Sequence, residues 1–459
     1  ALMEVETYPY LPQNAFLNLN SYDFDKHSLI IGASGSGKSK FIGLFADRLL
    51  RSPMAQGYRI VVIDPHAALE SDLGTLPNSN VIRFSSRDDS TELFADGNTD
   101  IAASTELTLK LFESLLGKNY TTHVERLLRY SLLVLMTAQV MSLDNMKKLI
   151  SDQTYRQQIL QHVRDYIPSG ASEYFHDEFV EVAQKNRSTI ISPIFELVDE
   201  ILVQSGHSPR SSQASSLAHV IGSNQLTIFS LNKVAMGEKA IKTVSGLLIQ
   251  QLFLLAQARQ FQEKIILIID EVSVIQNPTL AQILAEARKY NLFVFLSQQY
   301  FGQVDEALQN AIFSNVSNYY AFKVSEADAR SLEGNMTMEL PRKMTMEATR
   351  IVTMEQDLRV PILTELDARE CVVRVSSQGK ILPAFRARTL DFEPISHVDS
   401  SQKLQSYTQQ QLPQKFVEQQ EITMPEAIMA EPSMPDNLMS ILSRQSSQRN
   451  SVGGKKNER

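Results

Sequence analysis

Short runs of consecutive apolar residues alternate along this chain with longer stretches in which apolar positions recur every three or four residues. The first pattern predicts strands buried on both faces, and the second predicts helices packed on them. Strands are expected at Ser28–Ile31, Ile60–Ile63, Val81–Phe84, Leu226–Leu231, Lys264–Ile269, Leu292–Ser297 and Asn318–Val324. Helical spacing covers Phe41–Leu50, Lys239–Gln260, Pro278–Tyr290 and Val304–Phe313, and Ser325 opens one more helix. Strands alternating with helices define an α/β protein with a mostly parallel sheet. Glu370–Val375, a turn at Gln378–Lys380 and the apolar positions up to Arg388 predict a terminal hairpin. Residues 1–26, with Pro9 and Pro12, fix no element.

Between about 99 and 216 the strand pattern disappears. Thr122-His123-Val124-Glu125 has the form of a capping box, ahead of a helix through Leu127, Leu128, Leu132, Leu135 and Met136. Ser142 and Asp152 start the next two helices. Phe175, Phe179, Val182 and Ala183 share one helical face, and Ile190 to Ile201 continue the pattern. His123, His162 and His176 have no partner at metal-ligand spacing and read as ordinary helix residues. The Ser/Pro-rich stretch 205–212 reads as the exit loop. The expected organisation is therefore an α/β domain split into 21–98 and 217–394, an all-helical insertion at 99–216, and a tail at 395–459. That tail is dense in Gln, Ser, Met and Pro, with no sustained apolar face, and is expected to be disordered. Its basic end suits nucleic acid, a partner or plain solvation.

The first strand and helix flank Gly32-Ala33-Ser34-Gly35-Ser36-Gly37-Lys38-Ser39, which is G-x-x-x-x-G-K-S. Glycines let several backbone N–H groups converge on one phosphate, and the following helix presents its N-terminus to the anion. Lys38 is placed for the β- and γ-phosphates of ATP, and the Ser39 hydroxyl for Mg²⁺. The run ending at Ile269 leads into Asp270 and Glu271. Such a pair, at a strand end facing a phosphate loop, supplies a Mg²⁺ ligand through water (Asp270) and a group that orients the attacking water (Glu271). Gln298 ends the strand Leu292–Ser297, where it either senses the γ-phosphate or satisfies a turn. Asp64 and His66 follow another strand. They either contact the nucleotide or its water, or Asp64-Pro65 caps a turn.

Composition adds bounds. The chain has 459 residues, of which 43% are hydrophobic and 21% charged, the balance of a globular protein with a sizeable core. A formal net charge of −8 argues against a uniformly basic nucleic-acid binder, although a local basic channel would suffice. One cysteine, Cys371, excludes an intrachain disulfide and suits a reducing compartment. No apolar run reaches bilayer length without a polar break, and no leader pattern is visible. The sequence does not begin with methionine, which leaves room for an upstream anchor or domain.

In the order of these pieces the chain resembles the conjugative coupling-protein ATPases of the TraG/TraD kind, within the HerA–FtsK group of DNA pumps. The pieces are Gly32–Ser39, Val61–His66, a helical insertion, Ile266–Glu271, and Ala285–Leu292 running into Ser297-Gln298-Gln299. The resemblance spans about residues 21–392. It implies a RecA-like sheet, a homohexameric ring and ATP-driven movement of DNA. It also implies a trans-acting arginine, a role that falls to Arg288, with a surface helix residue as the plainer reading and Arg330 as second choice. Lys343, Arg342 and Arg350 would belong to a pore loop. Secretion-system or relaxosome proteins become expected partners. The expected address is cytoplasmic, or the cytoplasmic face of the inner membrane through a segment outside this chain. Two rival readings are an ATPase that moves or unfolds protein for secretion, and a nucleotide-gated ring scaffold with little turnover.

Overall fold

The computed structural model describes residues 1–7, 16–84, 91–92, 100–205, 215–275, 277–336 and 360–392. Its centre is one eleven-stranded sheet. In chain order the strands are β1 (Met3–Thr7), β2 (Phe16–Leu17), β3 (Ser28–Ile31), β4 (Tyr58–Asp64), β5 (Ser79–Arg83), β6 (Leu226–Ser230), β7 (Lys264–Ile269), β8 (Leu292–Gln298), β9 (Asn318–Ala321), β10 (Glu370–Arg374) and β11 (Phe385–Thr389). Across the sheet they run β2-β1-β11-β10-β9-β3-β8-β7-β4-β6-β5. The seven from β9 to β5 are parallel, and the other four extend the sheet antiparallel.

The central parallel strands are mostly apolar because helices cover both faces. Alternate residues enter two separate cores. Ile30, Ile60, Val62, Ile266, Ile268, Phe293 and Phe295 pack on the face covered by α1 (Lys38–Leu50), through Phe41, Phe45 and Leu49. Leu29, Ile31, Val61, Ile63, Leu267, Ile269, Val294 and Leu296 pack on the other face. There they meet α2 (Ile101–Leu116), α4 (Glu238–Gln257) and α5 (Pro278–Glu286). Helix α4 is long and apolar enough to cross a bilayer, but 89% of its apolar window is buried within the fold. Its buried Gln250 donates to the Leu107 carbonyl at 2.9 Å and Gln251 to Ser104 Oγ at 3.3 Å, which pins α2 onto α4.

Residues 101–205 are helical, with π-helical turns at Tyr174–Glu178 and Arg187–Ile191. Their core, including Leu128, Leu132, Phe179 and Ile194, is continuous with the helical layer over the sheet. Helix α3 (Thr122–Thr137) corrects the expected capping box. Its N-cap is Thr121, whose hydroxyl accepts from the Val124 N–H, and Glu125 pairs with Arg129 instead. Ser142 and Asp152 cap as expected.

Other boundaries shift. β1 and β2 lie in the stretch where no element was expected. β9 stops at Ala321, before the anticipated Val324, and the helix from Pro278 turns 3-10 at Ala287–Tyr290. The terminal hairpin forms as β10 against β11, with a smaller pair Ser376–Ser377 and Lys380–Ile381 at its tip. The exit loop beyond Ser205, the proposed pore-loop residues Arg342, Lys343 and Arg350, and the tail at 395–459 lie outside the described residues.

A nucleotide-type cleft at the sheet's switch point

From β3 the chain crosses to β4 by way of α1 on one face. From β8 it crosses past β3 to β9 by way of the helix Glu306–Asn315, whose Leu308 and Ile312 pack on the other face. The crossovers diverge at β3, and a crevice opens beyond its carboxyl end. The loop Gly32–Ser39 sits there and is tied to three other segments. Gly32 N–H donates to the Gln298 carbonyl (3.2 Å), Ala33 N–H donates to the Lys323 carbonyl (2.7 Å), and the Ser36 carbonyl accepts from Arg369 N–H (2.8 Å). Glycine is required at two points. A Cβ on Gly32 would lie 2.6 Å from both Phe322 Cβ and Ser36 Oγ, and Gly37 holds φ +112° as the N-cap of α1.

A cleft of about 400 Å³ opens over the loop. Its walls include Ser34, Gly35, Gly37, Lys38, Ser39, Lys40, His66, Asp270, Glu271 and Gln299. Strand register explains the carboxylates. Ile269 pairs with both Ile63 and Leu296, so Asp64, Asp270 and Ser297 form the next rung. All three follow residues of the α1 face by two positions and point to that side. Ser297 Oγ donates to Asp270 Oδ1 at 2.7 Å. Asp64 is fully buried and Oδ2 accepts the Leu69 N–H at 2.7 Å, so this carboxylate caps its own turn while His66 reaches the cleft.

Gln298 stands on the opposite face, in line with Leu296. Its Oε1 accepts from Ser273 N–H at 2.9 Å. Its Nε2 donates to Ser273 Oγ (2.9 Å), the Tyr300 carbonyl (3.0 Å) and Gln303 Oε1 (3.2 Å). The amide is spent on the turn after β7, and the neighbouring Gln299 lines the cleft. Sequence reasoning missed Gln299, because a strand apolar at every position does not reveal which face its last residues take. Arg288 is exposed and precedes β8, at the sheet edge away from the loop that β3 leads into. It does not reach the cleft of its own chain. Arg330 pairs with Glu326 outside the cleft.

Burial is the largest influence on the ionisable groups Asp270, Glu271 and Lys38 of the cleft. Burial pushes the Asp270 carboxyl above its usual range, against the pull of Ser297 and Lys38. Burial and then Asp270 push Glu271 up, against Lys38. Glu271 has φ +46° and caps the Gln299 N–H at 3.4 Å. Burial lowers the Lys38 ammonium, opposed by Glu271 and Asp270, and Nζ donates to the Gly32 carbonyl at 2.6 Å. Among the described residues Ser36 Oγ is buried without a hydrogen-bond partner, and no side chain caps the N-terminus of α1. Among the described residues no three His, Cys, Asp or Glu cluster as a self-sufficient metal site. Ser39 and Asp270 are suited to a cation that arrives with an anionic ligand.

Known proteins agree with this architecture. The chain is similar in structure to VirB4 of Thermoanaerobacter pseudethanolicus, at 15% identity and TM-score 0.51, covering 81% of this chain and 90% of the other. It is also similar to the plasmid coupling protein TrwB, described in complex with a non-hydrolysable ATP analogue, at 15% identity and TM-score 0.50, covering 86% and 90%. A sulphate complex of the coupling protein TrwBdeltaN70 matches at 15% identity and TM-score 0.50, covering 81% and 86%. At such identities these likenesses show the fold. No curated protein matches in sequence. The family described as "Helicase HerA, central domain" matches residues 13–252, just over half of the chain, and the chain belongs to that family.

Proposed function

We propose that this protein is an ATPase that works as a sixfold ring, as its resemblance implies, and moves DNA. One observation carries the reading: the loop lysine and the Asp270–Glu271 pair face one another across a single cleft at the switch point of the sheet. The N–H groups of the loop and of the first turn of α1 bind the phosphates, and Lys38 turns from the Gly32 carbonyl to the β- and γ-phosphates. Mg²⁺, held by Ser39 and, through water, Asp270, would neutralise phosphate charge. Glu271 accepts a hydrogen bond from the attacking water and aims it at the γ-phosphorus. Arg288, remote from its own cleft, is available to a neighbouring subunit's cleft, where an always-charged fork suits developing phosphate charge. The ATPase domain comprises 21–98 and 217–394, and the helical segment 99–216 is its insertion. Membership of the HerA central-domain family and the TrwB fold support this reading.

ATP turnover measured with and without single- and double-stranded DNA across salt concentrations tests it. DNA should stimulate turnover, with a stimulation that fades as salt rises. Lys38→Ala should abolish turnover, and Glu271→Gln should bind ATP yet barely hydrolyse it. Full turnover in Lys38→Ala would sink the assignment of the loop. Turnover indifferent to DNA would favour a protein substrate.

A further inference from the structure

The cleft has a third wall, made by the turn after β4. In strand order the loop-bearing β3 lies on one side of β7, with its carboxylates, and β4 lies on the other. The turn is fixed from beneath. Asp64 Oδ2 accepts the Leu69 N–H, the Asp64 carbonyl accepts from Leu231 N–H at 2.8 Å, and the Pro65 carbonyl accepts from Lys233 N–H at 3.1 Å. Ala67 takes φ +54°, which turns the chain back. This geometry presents His66, exposed, to the cleft. Its ring makes no hydrogen bond to a described residue. It lies within electrostatic reach of both Asp270 and Glu271, the groups that bracket the proposed meeting point of water and terminal phosphate. The other cationic side chain on the wall besides Lys38 is Lys40, and its ammonium is held by Asp72 at 2.8 Å.

We infer that His66 is a catalytic residue of this site. Its ring N–H donates a hydrogen bond to the terminal phosphoryl group of a bound nucleoside triphosphate, from the side opposite Lys38, and so separates triphosphate from diphosphate. Asp64 is the positioning residue that holds the His66 turn. The inference rests on the nucleotide reading above.

Equilibrium binding of ADP and of a non-hydrolysable ATP analogue to the full chain tests it. A hydrogen bond to a charged group is worth a factor of about ten or more. His66→Ala should therefore weaken the analogue by about tenfold or more while ADP affinity stays within about twofold. His66→Gln, which keeps a donor, should recover most of the loss. Asp64→Ala should lose the same preference, and Asp64→Asn, which keeps an acceptor for the Leu69 N–H, should retain it. Equal weakening of both nucleotides in His66→Ala, or of neither, overturns the role of His66. Loss of preference in Asp64→Asn overturns the role of Asp64. A wild-type chain that binds neither nucleotide overturns the underlying reading and this inference together.

Discussion

At the scale of the residue, Asp270 shows what burying a carboxylate costs. A carboxyl whose folded pKa lies above its unfolded one binds its proton more tightly in the native state, so stability falls as pH rises through the folded pKa. The penalty is absent below the unfolded value near 3.8 and complete above the raised folded value. Asp270→Asn removes the charge and keeps an acceptor for Ser297. Without nucleotide or Mg²⁺, its melting temperature should exceed wild type by a few degrees at about pH 7, and by less at about pH 4.5. An advantage that is the same at both pH values would contradict the burial of an ionised Asp270. Lys38 follows the opposite sign, its lowered pKa reflecting an ammonium that the fold partly desolvates.

At the scale of the element, β8 divides two adjacent glutamines between two tasks. Gln298 binds the turn after β7 to the loop after β8, and Gln299 faces the cleft. Gln298→Ala strips a fully buried amide and leaves the Ser273 N–H without its acceptor, at a cost of about 2 to 4 kcal/mol. Gln299→Ala should stay within about 0.5 kcal/mol of wild type in stability and alter turnover. Chemical denaturation of both variants checks this, and the reverse order of stabilities would exchange the two roles. The same strand shows the limit of reading a sequence. Apolar runs and the G-x-x-x-x-G-K-S loop placed β3, β4, β6, β7 and β8, the loop, Asp270 and Glu271 from local pattern alone. Which of Gln298 and Gln299 faces the cleft depends on sheet face, which an uninterrupted apolar strand does not encode. β1 alternates as Met3-Glu4-Val5-Glu6-Thr7, but the run is short, leads into the stretch with Pro9 and Pro12, and gains its pairing from residues far along the chain. Thr121 lost to Thr122 as the expected cap because adjacent threonines offer the same hydroxyl.

At the scale of the whole molecule, Arg288 and the loop lie at opposite ends of adjacent parallel strands, so Arg288 can serve the proposed site only from a neighbouring subunit. Mixing Arg288→Ala subunits with wild type should depress ATP turnover more steeply than the mutant fraction, because each defective subunit would disable a neighbour's cleft. A linear decline would argue against an arginine shared between subunits. The antiparallel side of the sheet contributes to the same site from behind, since the Arg369 N–H secures the Ser36 carbonyl of the loop.

That antiparallel side also sets a timetable. Met3 lies across from Thr389, so the strand of this sheet that is translated first joins it beside the one translated last. At about 5 to 20 residues per second the wait is roughly 20 to 80 s. Through that interval Leu2 and Met3 have no β11 to bury against, and the loop at Gly32–Ser39 lacks its Arg369 tether. The phosphate loop is translated early and finished late, so a nascent chain acquires its complete cleft only when nearly the whole core has been made.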